Sequence, residues 1–478
     1  MKLVWFRNDL RVRDNPALYQ ASEDVRKNNA GSDESLISGV IAVVTFCPQQ
    51  WLLHDESPTK LAFWLANLAE LKLELNALNI PLKVISGDLF SSVGDLLLEF
   101  SKRYRCNALY INQEYCLNEQ RRDDQVNSLF KQNGLNVYRC HGDTVVEPGL
   151  LLNQSGAPYK VFTPFSKAWR SAFSASGIQL SPEPAIQAPL NIESDSIPSV
   201  LDYFQGGPMV SNQDSWPIGA DAAHQKLQGF ISTSVNQYEN DRDYPSLNAT
   251  SSLSPYLAIG VLSPRQCIAG LSSLEQGAEW VSSQWVTEII WRDFYRHLMV
   301  LFPQLNRWEP FRPEVENRIA WRDDKNLFDA WCQGETGFPI VDAGMKQLQN
   351  TGWMHNRVRM ITASFLTKLL RQDWRKGARF FMKHLIDGDF ASNVGGWQWS
   401  ASVGADAAPY FRIFNPTRQA ERFDPQARYI THWLPELGKL SIKQRMDPES
   451  GHLAGRPLPI IDYKLAREES LASYKNYH

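Results

Sequence analysis

Four residues of the segment WVTEIIWRDFYRH, Glu288, Trp291, Arg292 and Tyr295, are spaced i, i+3, i+4 and i+7. On a helix that spacing puts an acid, an indole, a guanidinium and a phenol on one face, where an ordinary buried face is aliphatic. By itself the segment is equally a half-exposed stripe with an internal salt bridge. The segment Thr351 to Arg371, TGWMHNRVRMITASFLTKLLR, places Asn356, Arg359, Met360 and Ala363 on one face. An Asn and an Arg in an apolar stripe are costly unless partners or a ligand satisfy them, and a bound polar ring system would do so. In DGDFASNVGGWQWSAS, from Asp387 to Ser402, two carboxylates stand two apart, followed by Asn393, paired glycines and two tryptophans. Paired carboxylates point first to a metal, but no third ligand follows at a suitable spacing, so no metal is expected, and Gly-Gly implies close backbone approach to something large. In TSSLSPYLAIG, from Thr250 to Gly260, hydroxyls precede a helix whose free N–H groups point outward. That pattern serves either as a cap or as a seat for a phosphate.

Other elements must position these residues. The first third of the 478-residue chain alternates apolar runs with helical patterns. The runs are Leu3 to Phe6, Gly39 to Phe46, Pro81 to Ser86, Ala108 to Asn112 and Leu135 to Cys140; the clearest helical patterns are Thr59 to Leu78 and Asn118 to Lys131. Such alternation predicts an α/β unit with a doubly wound parallel sheet. No GxGxxG follows the first strand, so the usual dinucleotide loop is missing. From about Ser171 to Trp216 the chain turns rich in Ser, Pro, Ala and Gly and reads as a connector over the surface of one unit. After Trp216 only helical patterns remain. The expected division is an α/β unit over 1–135, a connector over 136–215 and an all-α unit over 216–478.

This length exceeds what one core usually fills, and 43% hydrophobic with 21% charged residues is an ordinary globular balance. The net charge of −3 is unevenly spread, with 19 Lys and Arg against 16 Asp and Glu between Thr250 and Ala420. Ten of the 16 tryptophans lie between Trp280 and Trp399, and packing alone does not account for all of them. The six cysteines form no CxxC pair, which predicts reduced thiols rather than zinc or iron–sulfur binding. The opening MKLVWFRNDLRVRD has no secretory-signal pattern and no apolar stretch is long enough to span a bilayer, so a cytoplasmic location is expected.

Taken in order, these motifs, with the opening VWFRNDLRVRDNPAL and YKVFTPF near Tyr159, resemble the photolyase/cryptochrome family over nearly the whole chain. Within it the chain looks most like the class I photolyases that split cyclobutane pyrimidine dimers (CPDs). The resemblance implies a bent FAD, catalytic when reduced, held by Tyr238, Thr250, Ser251, Ser252, Leu253, Ser254, Trp285, Glu288, Arg292, Asn356, Arg359, Asp387, Gly388, Asp389 and Asn393. It implies that the Thr and Ser group holds the pyrophosphate, that Arg359 pairs with Asp387, and that Asn393 faces the flavin N5. By the same resemblance Trp397, Trp374 and Trp321 form an electron-hopping chain, and Trp291 and Trp399 flank a flipped-out dimer lined by Met360 and hydrogen-bonded by Glu288. Further DNA contacts fall on Arg242, Asn356, Arg357 and Gln419.

The expected partner is damaged duplex DNA, bound by a monomer. His54, Asn118 and Glu119 match the ligands of a 5,10-methenyltetrahydrofolate antenna. Asn306 and Arg307 stand where a Cys-Lys pair is often found, which leaves a deazaflavin or a second flavin open. The rival from another class is a cryptochrome light receptor. Against it stand the complete dimer-pocket set and Asn393, where animal-type receptors commonly carry Asp. A (6-4) photolyase would carry a second His at Asn356, after His355. A relative preferring single strands also stays open.

Overall fold

The computed structural model describes residues 1–29, 38–199, 203, 215–273 and 279–475. Five strands, β1 (Lys2–Phe6), β2 (Val40–Phe46), β3 (Leu82–Ser86), β4 (Ala108–Asn112) and β5 (Asn136–Cys140), form one parallel sheet in the order β3-β2-β1-β4-β5. Four of the five lie within the apolar runs of the sequence, and β1 begins one residue ahead of its run, at Lys2. Leu3, Trp5, Ile41 and Val43 point to one face and Val4, Phe6, Ala42 and Val44 to the other, and every one of them is buried. That two-sided burial is why β1 and β2 read as unbroken apolar runs rather than alternating ones.

Helices α1 (Pro16–Asn29) and α2 (Pro58–Ala77) pack on the Val4 face, and α3 (Val93–Arg103) and α4 (Leu117–Gln132) on the Leu3 face. The sheet is therefore doubly wound. Strand β5, which a boundary at 135/136 places at the head of the connector, pairs with β4 from Asn136↔Ala108 to Asn112↔Cys140 and belongs to the sheet. The stretch read as connector also contains a helix, α5 (Phe162–Ser176), whose Phe162, Phe165, Trp169 and Phe173 are buried. Beyond it the described residues 177–199 have no regular structure and run along the α/β unit, with Gln187 N–H donating to Leu78 O and Asp195 N–H to Leu82 O.

From Ala220 on, the regular elements among the described residues are helical. Five of them matter here: α6 (Gln284–Leu301), α7 (Pro339–Thr351), α8 (Asn356–Ser364), α9 (Trp374–His384) and α10 (Phe390–Ala401). The starts of α6, α9 and α10 are capped by side chains: Ser283 accepts from Val286 N, Asp373 from Arg375 N, and Asp389 from Ser392 N. The core on the Val4 face of the sheet continues without a break into these helices.

The seam between the two units is closed by Arg11, buried and donating to the carbonyls of Asp14, Gly142 and Gly260. Gly260 has φ +72°, and a Cβ there would lie 2.0 Å from Asn8 O, so only glycine admits this approach.

Candidate active site

Three helix faces converge on one cavity of about 440 Å³. Helix α6 contributes Glu288, Trp291, Arg292 and Tyr295; α8 contributes Asn356, Arg359, Met360 and Ala363. Helix α10 and the turn before it contribute Asp387, Asp389, Asn393, Trp397 and Trp399. The volume lies within the roughly 300–1,000 Å³ of ligand pockets. The paired glycines divide their work. A Cβ on Gly395 would strike the Tyr295 ring at 2.1 Å, so Gly395 lets α10 close on α6, whereas a Cβ on Gly396 meets nothing within 4 Å and would project into open space. Position 396 therefore takes up none of the cavity's space.

Its polar wall is ordered by partners. Arg359 donates through one nitrogen to both oxygens of Asp387, at 3.0 and 2.7 Å, and through Nε to Met354 O, so the pairing expected between these two residues is formed. Asn393 donates to Ala378 O at 2.9 Å. Arg292 and Arg296 both bind Asp143, and Arg296 reaches Asp389 at 2.8 Å. Burial pushes the Asp143 and Asp389 carboxyls up, but the two guanidiniums outweigh it, holding Asp389 at about 2 and Asp143 well below the usual carboxylate range. Sequence reasoning found Arg292 and Asp389 and missed Arg296 and Asp143. Arg296 was findable, being one helical turn beyond Arg292; Asp143 carries no local signal.

At the mouth, Glu288 accepts from Arg242 and from Gln284 Nε2. Trp291 is half-buried and stacks on Phe162, with ring centres 3.6 Å apart and planes at 3°. Met360 and Trp399 are half-buried on the same wall and Asn356 is exposed. Arg357 pairs with Asp243 and lies 4.4 Å over Phe423; Gln419, on the helix Pro416–Phe423 that carries this ring, is not part of the cavity wall. His355 is 3% exposed and its Nδ1 accepts from Arg357 N, so its ring is used as a helix cap.

The remaining expected cofactor contacts lie off this wall. Tyr238 and Trp285 are buried on either side of Phe230. Thr250, Ser251 and Ser252 are half-buried before the short helix Ser254–Ala258, with Ser252 at φ +48° and Leu253 buried. Ser254 accepts from Trp353 Nε1, and Trp353 in turn lies under Arg359. Gly388 lines a different cavity, beside Asp389.

Trp397 is buried on α10, and its ring fills the space above Gly377, where a Cβ would meet it at 2.2 Å. Gly377 is on α9, the helix that Trp374 begins. Trp321 is half-buried beside the bridge pairing Arg322 with Gln372. Two further indoles, not singled out by sequence, extend this group: Trp331, 6.0 Å from Trp397, and Trp308, 6.2 Å from Trp374.

The three expected antenna residues also meet. His54 Nε2 is 3.0 Å from Asn118 Nδ2, and its Nδ1 is 3.5 Å from Glu119, whose carboxyl burial pushes up. Asn306 is tied in beside them, accepting from Leu117 N at 3.0 Å and donating to Met299 O at 2.9 Å. Next to this corner, where the ends of β1 and β4 face α10, lies a second cavity of only about 110 Å³. Arg7 and Glu114 of its wall pair with each other and with Asp123 and Arg122 beside it, and both guanidiniums lie over the Trp5 ring. Among the described residues no His, Cys, Asp or Glu group is arranged to hold a metal, and no helix is long and apolar enough to cross a membrane.

Comparison with known proteins accords with this arrangement. Residues 2–187 match the DNA photolyase family and 285–476 the FAD binding domain of DNA photolyase. The deoxyribodipyrimidine photo-lyase of Vibrio cholerae is 40% identical, over 99% of each chain. Among solved structures, a class III photolyase from Agrobacterium tumefaciens superposes with a TM-score of 0.85 at 35% identity, over 99% of this chain and 97% of the other. The Sulfolobus tokodaii photolyase, solved with two FAD molecules, does so with a TM-score of 0.80 at 29% identity, over the whole of both chains. With four-tenths of its residues shared along its whole length, and with both family segments in place, this chain belongs to the DNA photolyase family.

Proposed function

We propose that this protein is a light-driven lyase that splits cyclobutane pyrimidine dimers in DNA with reduced FAD. The observation that carries the reading is the convergence of Glu288, Trp291, Met360 and Trp399 at the mouth of a cavity whose inner wall holds Arg359–Asp387 and Asn393. The residues present fit a flavin: the cavity is of ligand size, Gly396 takes up none of its space, and fixed polar groups sit on an otherwise apolar and aromatic wall. When bound, reduced FAD supplies the photo-excited electron that opens the cyclobutane ring and then takes it back.

The chain's own residues bind and orient. Arg359, locked by Asp387 and Met354 O, presents a fixed positive charge to the ring system, and Asn393, anchored through its amide N–H, presents its oxygen. Thr250, Ser251, Ser252 and Ser254, with the N–H groups around Leu253, seat the pyrophosphate. Tyr238 and Trp285, both packed on Phe230, complete the contacts to the cofactor.

Trp291, backed by Phe162, and Trp399 offer the faces on which a flipped pair of bases stacks, and Met360 fills between them. Glu288 hydrogen-bonds the dimer once Arg242 turns outward to the phosphate backbone, joined there by Asn356, Arg357 and Gln419. Trp397, Trp374 and Trp321 resupply electrons from the surface.

A folate antenna fits better than a second flavin. His54, Asn118 and Glu119 are assembled at one corner, whereas the cleft behind them, at about 110 Å³, is well below ligand size and its charges are already paired. The protein works as a cytoplasmic monomer on duplex DNA. Its units are the α/β part, extended to Cys140, the connector to residue 215, and the helical part over 216–478.

The test is direct repair: photoreduced protein is mixed with a duplex carrying one thymine dimer, and recovery of thymine absorbance is followed under blue light and in the dark. Recovery in the light alone is expected. No recovery with fully reduced FAD bound would overturn the reading.

A further inference from the structure

Trp374 is wholly buried, yet its indole N–H is engaged by a charged group. Nε1 donates to Glu316 Oε1 at 2.8 Å. Glu316 is itself gripped by Arg375, at 2.9 Å to Oε1 and 2.8 Å to Oε2, and Arg375 is held by Asp373 and by Trp308 O. The Arg375 guanidinium lies 4.7 Å over the Trp374 ring. A buried indole thus has a carboxylate on its nitrogen and a guanidinium on its face. Trp321 differs: its Nε1 is buried without a hydrogen-bond partner.

We propose that Glu316 is a positioning residue for electron resupply, making Trp374 easy to oxidise by holding a negative charge on its N–H. The inference rests on the reading of Trp397, Trp374 and Trp321 as an electron chain. When Trp397 has given up one electron, Trp374 refills it and becomes a radical cation; Trp321 refills Trp374, and a thiol in solution refills Trp321. For each electron one thiol proton goes to water, and pairs of thiols end as disulfide.

The positive charge on Trp374 is concentrated near the ring nitrogen, where the bond to Glu316 changes from neutral–anionic to cationic–anionic. No water reaches the ring, so this attraction acts at low dielectric. Arg375 opposes it from the ring face, but Glu316 and Asp373 together outnumber it. The indole proton stays on Nε1 throughout.

Three variants of the full-length flavoprotein test this: Glu316→Gln, Arg375→Gln and Trp374→Phe. Glu316→Gln keeps the shape and removes the charge. Its flavin photoreduction with thiol should slow by about tenfold or more, the equilibrium worth of one charge-assisted hydrogen bond. Repair by chemically reduced protein should be unchanged. With tryptophan labelled at the indole nitrogen, the N–H resonance missing from Trp374→Phe should move upfield in Glu316→Gln and exchange faster with solvent. Arg375→Gln, which frees the carboxylate, should speed photoreduction.

Wild-type photoreduction in Glu316→Gln, with Trp374→Phe inactive, would overturn the role of Glu316 alone. Wild-type photoreduction in Trp374→Phe would overturn the chain and this role together.

Discussion

Two cavities of this molecule are ringed by charge and use it in opposite ways. In the one among α6, α8 and α10, about 440 Å³, the groups are fixed from behind and face open space. In the one at the ends of β1 and β4, about 110 Å³, the charges face one another: Arg7 and Arg122 are spent on Glu114 and Asp123, and Asn112 ties Asp9 to Asn15. Doubly wound sheets ordinarily bind ligands at that switch of strand order. Here the same place mainly fastens the sheet to the helical unit, and the large ligand goes to the helices.

Breaking the open cavity should have the largest effect. Gly396→Leu fills it with a side chain that the helix accepts, so FAD affinity should fall on the order of 100-fold or more, read from flavin absorbance of the purified protein with circular dichroism unchanged. Gly396→Ala is the sharpening control, since a lone methyl there strikes nothing. It should keep the flavin and gain up to about 1 kcal/mol of stability.

Arg359→Ala should come next. It strands Asp387, whose side chain is 3% exposed, and should cost about 3–5 kcal/mol in denaturant unfolding. Third is a pH effect at the rim. Burial first, and then the nearby Arg357, Arg359 and Arg242 against Asp243, push the His355 ring down to about 4. A depressed histidine stays neutral in the native state while the unfolded chain takes up a proton. Its stabilising contribution is therefore whole above about pH 6.5 and is lost as pH falls from there to about 4, by roughly 3 kcal/mol. His355→Asn keeps a capping acceptor and should flatten part of that stretch of the pH–stability curve; His297, also held at about 4 by burial, and His141 and His384, which burial lowers as well, contribute in the same direction.

The closed cleft supplies the smallest effect. Asn112→Ala leaves Asp9 and Asn15 short of a partner and should cost about 2 kcal/mol while leaving FAD retention intact. Loss of FAD in that variant would mean that the two cavities are not separate in function.

The inner strands β1, β2 and β4 were legible because both of their faces are buried, so each appears as a short apolar run; the edge strands β3 and β5, more exposed, were legible from their place in the alternation with helices. The three site segments were legible because helical spacing puts their polar residues on common faces, and those faces do meet. Long-range partners were not legible. Asp143 is 149 residues from Arg292, and nothing in its neighbourhood marks it as the acceptor for two arginines. Helix α5 was missed because the connector was drawn from residue 136, well ahead of the Ser- and Pro-rich stretch that begins near Ser171, although Phe162, Phe165, Trp169 and Phe173 repeat at helical spacing and were there to be counted. The separate tasks of Gly395 and Gly396 could not be divided either, because only the packed neighbour distinguishes them.

The stack of Phe162 on Trp291 joins residues from different stretches of ancestry: Phe162 falls in the segment shared with the DNA photolyase family match and Trp291 in the FAD-binding match. Half of a wall of the site is thus inherited with the other part of the gene. Recombination that exchanged the helical part between relatives at the connector would exchange Trp291 without its support, and only chimaeras whose crossover falls outside the stretch from Phe162 to Trp291 carry both rings from one parent. The heritable unit of this site is larger than the domain that contains it.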